Sequence, residues 1–174
     1  MNKAYLLTIC LLLTSFTGCI EEEPVDVFFQ PQTKDELKTA VDEWIEDFTS
    51  ANSTYGEINT WDTSLITDMS YLFHNIDKPT FNGDISDWDV SSVTDMEYML
   101  NCYCNFNQDI SNWDVSSVTN MSGMFSHAYS FNQDISDWDV SSVTDMGSML
   151  NSVENFNHDI SEWDVSSVTN MRYM

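Results

Sequence analysis

The chain has 174 residues and carries 29 acidic against 5 basic side chains, a formal charge of −24. That balance excludes nucleic acid, whose phosphates would repel it, and excludes a basic patch lying on anionic lipid. It suits solubility outside the cell, cationic partners and divalent ions.

The chain opens on a positive residue, Lys3, and an almost wholly apolar run from Ala4 to Phe16. The run is too short to span a bilayer and has the length of a signal peptide. It ends in Phe16-Thr17-Gly18-Cys19, where small residues make a turn open to a peptidase. This stretch resembles a bacterial lipobox, with Phe16 in place of leucine. The resemblance implies cleavage before Cys19, diacylglycerol on its thiol, and a lipid anchor in the membrane. Several acyl chains would hold the protein firmly, since one alone binds only marginally. The alternative is an ordinary secretory signal in which Cys19 is incidental. Removing residues 1–18 also removes Lys3, so the mature chain is more acidic still. Residues 19–32 read as an acidic tether, too polar to fold alone. Glu21-Glu22-Glu23 just after the cysteine is similar to the surface-export signal of some Gram-negative lipoproteins. The implied location is extracytoplasmic, at the cell surface or outer membrane.

A helix comes next. Thr33 suits an N-cap, and Glu36 three residues later completes a capping-box pattern. Leu37, Ala40, Val41, Trp44, Ile45 and Phe48 then form one apolar stripe at helical spacing. Such a lone helix needs a surface to cover. Residues 33–53 are therefore read as an N-terminal capping helix, Thr33 to Asp47, with its connection to a repeat array.

Phe81, Phe106, Phe131 and Phe156 recur every 25 residues, as do Trp88, Trp113, Trp138 and Trp163. Trp61 lies 27 before Trp88, so an earlier, degenerate copy holds two extra residues around Asp77-Lys78-Pro79. The copies are 54–80, 81–105, 106–130, 131–155 and an unfinished 156–174. One copy has too little apolar surface for its own core; stacked copies make one.

Within a copy, Ile85, Trp88 and Val90 follow I-x-x-W-x-V, close to the L-x-x-L-x-L of leucine-rich repeats. This predicts a short strand over Ser86–Val90. Val93, Met96, Met99 and Leu100 then fit one or two helical turns, capped by Ser91 or Ser92. The fold class expected is a repeat solenoid of leucine-rich-repeat type. Each copy gives one strand to a parallel sheet and a helical turn to the other face, behind an N-terminal capping helix.

The string Phe131-Asn132-Gln133-Asp134-Ile135-Ser136-Asp137-Trp138-Asp139-Val140-Ser141-Ser142-Val143-Thr144-Asp145-Met146 resembles the BspA-like surface-protein repeat of bacterial lipoproteins. The likeness covers residues 54–174, and the helix before it is similar to that family's N-terminal cap. It implies leucine-rich-repeat-like surface proteins, some associated with adhesion, and no catalytic residues to carry over.

The Trp column and the column Met69, Met96, Met121, Met146, Met171 are expected to fill the core rather than meet a sugar or a metal. Asp62, Asp89, Asp114, Asp139 and Asp164 each follow the Trp. In stacked strands they would lie about 4.8 Å apart. They would repel by about 3 kcal/mol at an effective dielectric near 20. Either backbone amides and the serines Ser91, Ser116, Ser141 and Ser166 bind each carboxylate, or a cation such as calcium sits between neighbours. A second acidic column, Asp84, Asp109, Asp134 and Asp159, falls at a turn. A third, Asp68, Asp95, Asn120, Asp145 and Asn170, mixes charges with amides that ease repulsion.

Cys102-Tyr103-Cys104 occurs in one copy alone, with His127 at the place of Cys102 in the next. Three readings stay open: a disulfide, a metal held by Cys102, Cys104 and His127 with a further ligand, or plain loop packing. An enzyme is not expected. The carboxylates recur in every copy, whereas a catalytic site is a unique constellation, and no phosphate loop, H-E-x-x-H or nucleophile elbow is present. The pairs Glu97-Tyr98, Ser122-Gly123 and Gly147-Ser148 vary while their neighbours repeat, as does Arg172-Tyr173. They mark an expected contact surface for a protein partner, in adhesion, or alternatively for a glycan. A purely structural spacer, stabilised by calcium, is the remaining alternative. The repeat breaks off at Met174 within a copy, which predicts either a continuing gene or a frayed last copy.

Overall fold

The structure, a computed structural model, describes residues 28–74, 81–102 and 104–174. The signal-peptide and Cys19 readings, the first part of the tether and the extra residues around Lys78 fall outside these.

Two helices precede the repeats where the sequence suggested one. Helix α1 spans Lys34–Glu46 and helix α2 spans Phe48–Tyr55. Thr33 caps α1 by accepting from the Glu36 amide at 3.2 Å, and the Glu36 carboxylate accepts from Gln32 N at 2.7 Å. The capping box is thus shifted one residue outward from the usual reciprocal form. Asp47 breaks the helix and restarts it, closing α1 through its own amide and accepting from Ser50 N with its side chain. Leu37, Ala40 and Val41 are fully buried, and Trp44 and Ile45 pack against the core. Phe48, the last member of the expected stripe, stands 48% exposed because it starts the second helix. Lys34 anchors α1 to the first copy through Asp68 and Ser70.

The expected strand-plus-helix architecture is not what forms. Among the described residues no strand occurs; single parallel bridges link Asp68, Asp95, Asn120, Asp145 and Asn170 in succession. The leucine-rich-repeat solenoid with a strand at Ser86–Val90 is therefore incorrect. The reason lies in the Asp-x-Ser pairs. Asp84 Oδ1 takes the Ser86 amide and Asp89 Oδ1 takes the Ser91 amide, each at 3.0 Å. Trp88 N bonds back to Ile85 O, and Val93 N to Val90 O. Amides that a sheet ladder would need are satisfied inside the copy, and the backbone turns instead of extending.

The expected helical turn fails for a different reason. Met99 N and Asn101 N bond three residues back, but Met96 N, Tyr98 N and Leu100 N reach carbonyls of the next copy. Tyr98 has φ 50, and its counterparts Tyr71, Gly123, Ser148 and Tyr173 have φ 60, 64, 58 and 59. A left-handed residue in each copy prevents a helix and turns alternate amides outward.

The copies nevertheless stack closely. Phe81, Phe106, Phe131 and Phe156 form a column of near-parallel rings 6.2–6.3 Å apart. Trp113 and Trp138 stack at 6.4 Å. The Trp column is buried throughout, as are Met69, Met96, Met121 and Met146, while Met171 is 43% exposed. Burying each such apolar side chain stabilises by about 1.5–3 kcal/mol.

Polar columns fix the register. Trp88, Trp113, Trp138 and Trp163 each donate their indole N–H to the carbonyl of Ile58, Ile85, Ile110 and Ile135 in the preceding copy. Thr94, Thr119, Thr144 and Thr169 donate both amide and hydroxyl to the previous threonine carbonyl. Asn82, Asn107 and Asn132 each accept the amide of the asparagine 25 residues on. Residues 156–174 make these same bonds backward.

Candidate binding face and the acidic columns

The acidic columns are loop-forming elements. Asp89, Asp114 and Asp139 each accept, through Oδ1, both the amide and the hydroxyl of the serine two residues on. Asp62 and Asp164 accept the amides of Ser64 and Ser166. The second column repeats the device, Asp109 with Ser111 and Asp134 with Ser136. Bonds from the serine hydroxyl and amide hold the carboxyls of Asp109, Asp114, Asp134, Asp139 and Asp164 below the ordinary range. For Asp114 and Asp139 the like charge of the next copy pulls weakly the other way. The hydrogen-bonded arrangement is one of the two the sequence left open. Among the described residues no group of three or more His, Cys, Asp and Glu side chains is placed to hold a metal ion.

The third column does ease its charge with amides. Asn170 Nδ2 donates to both carboxylate oxygens of Asp145, at 2.9 and 3.0 Å. At the other end Asp68 is set against Lys34. Burial there disfavours the charged carboxyl, but the Lys34 and Ser70 bonds outweigh it and lower its pKa.

Cys102 and Cys104 are buried and joined in a disulfide. No thiolate is left for the metal reading. His127, at φ 63, has its Nδ1 2.9 Å from Ser126 Oγ.

The variable residues divide. Gly123 and Gly147 are buried, so they are not contact surface. A Cβ on Gly147 would come within 2.6 Å of Asn170 Nδ2, and one on Gly123 within 2.4 Å of the Tyr98 ring. Both are small to make room for the neighbouring copy. Glu97, Tyr98, Ser122 and Ser148 are half-buried, and Ser122 Oγ donates to Gly147 O.

Tyr98 belongs to a cluster that the sequence reading missed. Its ring stacks on Tyr71 at 5.3 Å with 28° between planes, and His74 meets both rings edge-on at 5.3 and 5.7 Å. Tyr71 is 40% exposed. Its hydroxyl pKa is raised, by burial first and then by a hydrogen bond with Glu97. The signal existed: Met69-Ser70-Tyr71-Leu72-Phe73 aligns with Met96-Glu97-Tyr98-Met99-Leu100, but the two-residue offset of the first copy concealed it.

Elsewhere, Leu150, Phe156, Ile160, Trp163 and Met171 line an open apolar concavity on the last copy. No helix among the described residues is long and apolar enough to cross a membrane.

A family model described as "Mycoplasma protein of unknown function, DUF285" matches residues 42–146 and again 112–174. No curated protein sequence and no solved structure matches the chain.

Proposed function

Because the chain belongs to the DUF285 family, whose function is unknown, we propose from its own surface that it is a non-enzymatic binding protein of the cell exterior. It is exported by its N-terminal apolar segment, held to the membrane through Cys19, and presents its stacked copies to a protein partner. One observation carries the reading. Where the copies depart from repetition, Tyr71 and Tyr98 come together with His74 as a partly exposed aromatic cluster, Tyr71 being its exposed member. The repeated columns are engaged in internal bonds. The recurring carboxylates, each held by the amide two residues on, serve the loops rather than a reaction. Exposed tyrosines are favoured where one side of a ring is apolar and its hydroxyl needs a polar partner, as at protein interfaces.

A glycan is the second reading, favoured by the same rings, on which a sugar could stack. Cells displaying the whole chain should capture a host matrix protein, and Tyr71→Ala with Tyr98→Ala should abolish the capture. Tyrosine-dependent binding on a glycan array, without protein capture, would support the second reading instead. Binding to neither would defeat both and leave a structural spacer.

A further inference from the structure

We infer that the Tyr71–Tyr98 stack, with Glu97 at its edge, seats an arginine side chain of a basic protein partner. The inference rests on the protein-binding reading above and names the partner's chemistry.

Three features of the cluster converge on a cation. Tyr98 lies between the Tyr71 ring and Gly123, His74 meets both rings in T-shaped contacts, and Tyr71, 40% exposed, is the aromatic surface the cluster offers to solvent. Such a face carries negative potential and attracts a cation. Glu97 directly precedes Tyr98 and its carbonyl accepts from the Tyr71 amide at 2.8 Å, so its carboxylate lies beside both rings, where it raises the Tyr71 hydroxyl pKa. Asp95 adds a second negative charge that reaches Tyr71. A chain of net charge −24 draws basic partners toward it over a longer range.

The backbone sets where these rings stand. Both tyrosines sit at positive φ, 60 and 50, where the next copy has glycine. The positive φ recurs at Ser148 and Tyr173, so it belongs to the repeat, and what is particular to these two copies is that the left-handed position carries stacked rings. Tyr98 occupies the space above Gly123 that any side chain on that residue would fill.

Arginine fits better than lysine or a neutral sugar. Its guanidinium is planar, weakly hydrated and able to lie flat on a ring while its fork meets a carboxylate. Lysine offers a compact, strongly hydrated charge, and a sugar gains nothing from the acidic rim. Of the described lysines, Lys34 and Lys38 are already paired with Asp68 and Asp42.

The probe is a nine-residue arginine peptide, compared with a nine-residue lysine peptide, titrated against the whole chain at low and high salt. High salt screens the general attraction of the acidic surface. The wild type should bind the arginine peptide about five-fold more tightly than the lysine peptide at high salt, the scale of an exposed cation–π contact. Tyr71→Ala with Tyr98→Ala should erase that preference. Glu97→Gln, which leaves the rings in place, should lower arginine-peptide affinity about three-fold and guards against misfolding of the double variant. Asp139→Asn, which removes one charge elsewhere, should change nothing. Equal affinity for the two peptides, or a preference that survives both the double variant and Glu97→Gln, would overturn the inference. If tyrosine-dependent capture of a protein or glycan is not displaced by the arginine peptide, this inference fails while a binding role stands. If nothing is captured, the binding role fails while the peptide preference still decides the chemistry of the cluster.

Discussion

The ring of Tyr98 lies across Gly123 so closely that a Cβ on Gly123 would stand 2.4 Å from its Cε1 atom. Gly123 is also at φ 64, so it serves twice: it adopts the left-handed backbone and leaves room for the ring. Gly123→Ala should destabilise the fold by about 1–3 kcal/mol, combining the backbone strain with displacement of the tyrosine. Denaturant unfolding, with tyrosine fluorescence reporting the ring, measures both effects. No loss of stability would show that the copy adapts more easily than its packing indicates.

Ser148 makes the opposite prediction. It occupies the same column at φ 58 and carries a side chain where glycine would be unstrained. Ser148→Gly should therefore raise stability by about 0.5–1 kcal/mol, although glycine also loosens the unfolded chain and offsets part of the gain. A lower melting temperature would mean that the serine side chain contributes more than its backbone strain removes.

Gly83 tells where the helical cap ends and the repeat pattern begins. A Cβ there would meet Trp44 Cη2 at 3.1 Å. In the next copies Gln108 and Gln133 take this position and donate to the preceding Asn82 and Asn107 carbonyls. Gly83→Gln would restore the repeat consensus and drive a side chain into Trp44. It should cost about 1–3 kcal/mol and expose residues 34–55 to protease. Gln108→Gly, which removes one exposed hydrogen bond, should cost about 1 kcal/mol and leave the cap protected.

The indole N–H bonds between copies are testable one at a time. Trp113→Phe keeps an aromatic ring in the column but removes one of two donors to the Ile85 carbonyl, which accepts from Trp113 Nε1 and from the Trp88 amide, each at 3.2 Å. Loss of one hydrogen bond from an acceptor that keeps another costs about 0.5–1.5 kcal/mol, with a further loss from the smaller ring. Equilibrium unfolding should show at least that loss; a change below about 0.5 kcal/mol would mean that the Trp88 amide satisfies the carbonyl and the indole bond adds nothing.

How far these features can be read in sequence depends on which groups declare themselves by spacing. The period, the buried Trp and Met columns and the apolar stripe of α1 are legible because burial selects side-chain type at fixed intervals. The strand reading of Ser86–Val90 failed because I-x-x-W-x-V reports which residues face inward, not how the backbone travels between them. Asp84-x-Ser86 and Asp89-x-Ser91 were the deciding signal: aspartate two before serine claims the amides that a ladder requires. The left-handed column was hidden because only one of its members, Gly123, is a glycine. The Asn82, Asn107 and Asn132 bonds were invisible because an exposed asparagine gives no apolar signal. Tyr71 escaped because the first copy is out of register with the rest.

The acidic columns make a prediction about pH. Serine hydroxyls and amides hold Asp109, Asp114, Asp134, Asp139 and Asp164 below 3.8, their value in the unfolded chain. Asp159 is lowered by the Ser161 amide first and its hydroxyl second. A carboxyl depressed in the folded state stabilises above its unfolded pKa, and that contribution is lost as pH falls through the folded value. Melting temperature should therefore hold roughly level down to about pH 5 and fall below about pH 4. Protonation also relieves the self-repulsion of a chain of charge −24, which acts in the opposite sense. Ser111→Ala with Ser136→Ala separates the two effects, since it removes hydroxyl donors and leaves charge unaltered. The variant should lose stability at neutral pH and show a shallower fall in acid. A parallel scan in excess chelator and in millimolar calcium should give one melting temperature, because each carboxylate is already bonded within its own copy. A calcium-dependent rise of several degrees would instead place a cation between the copies, and the serine bonds would then be secondary.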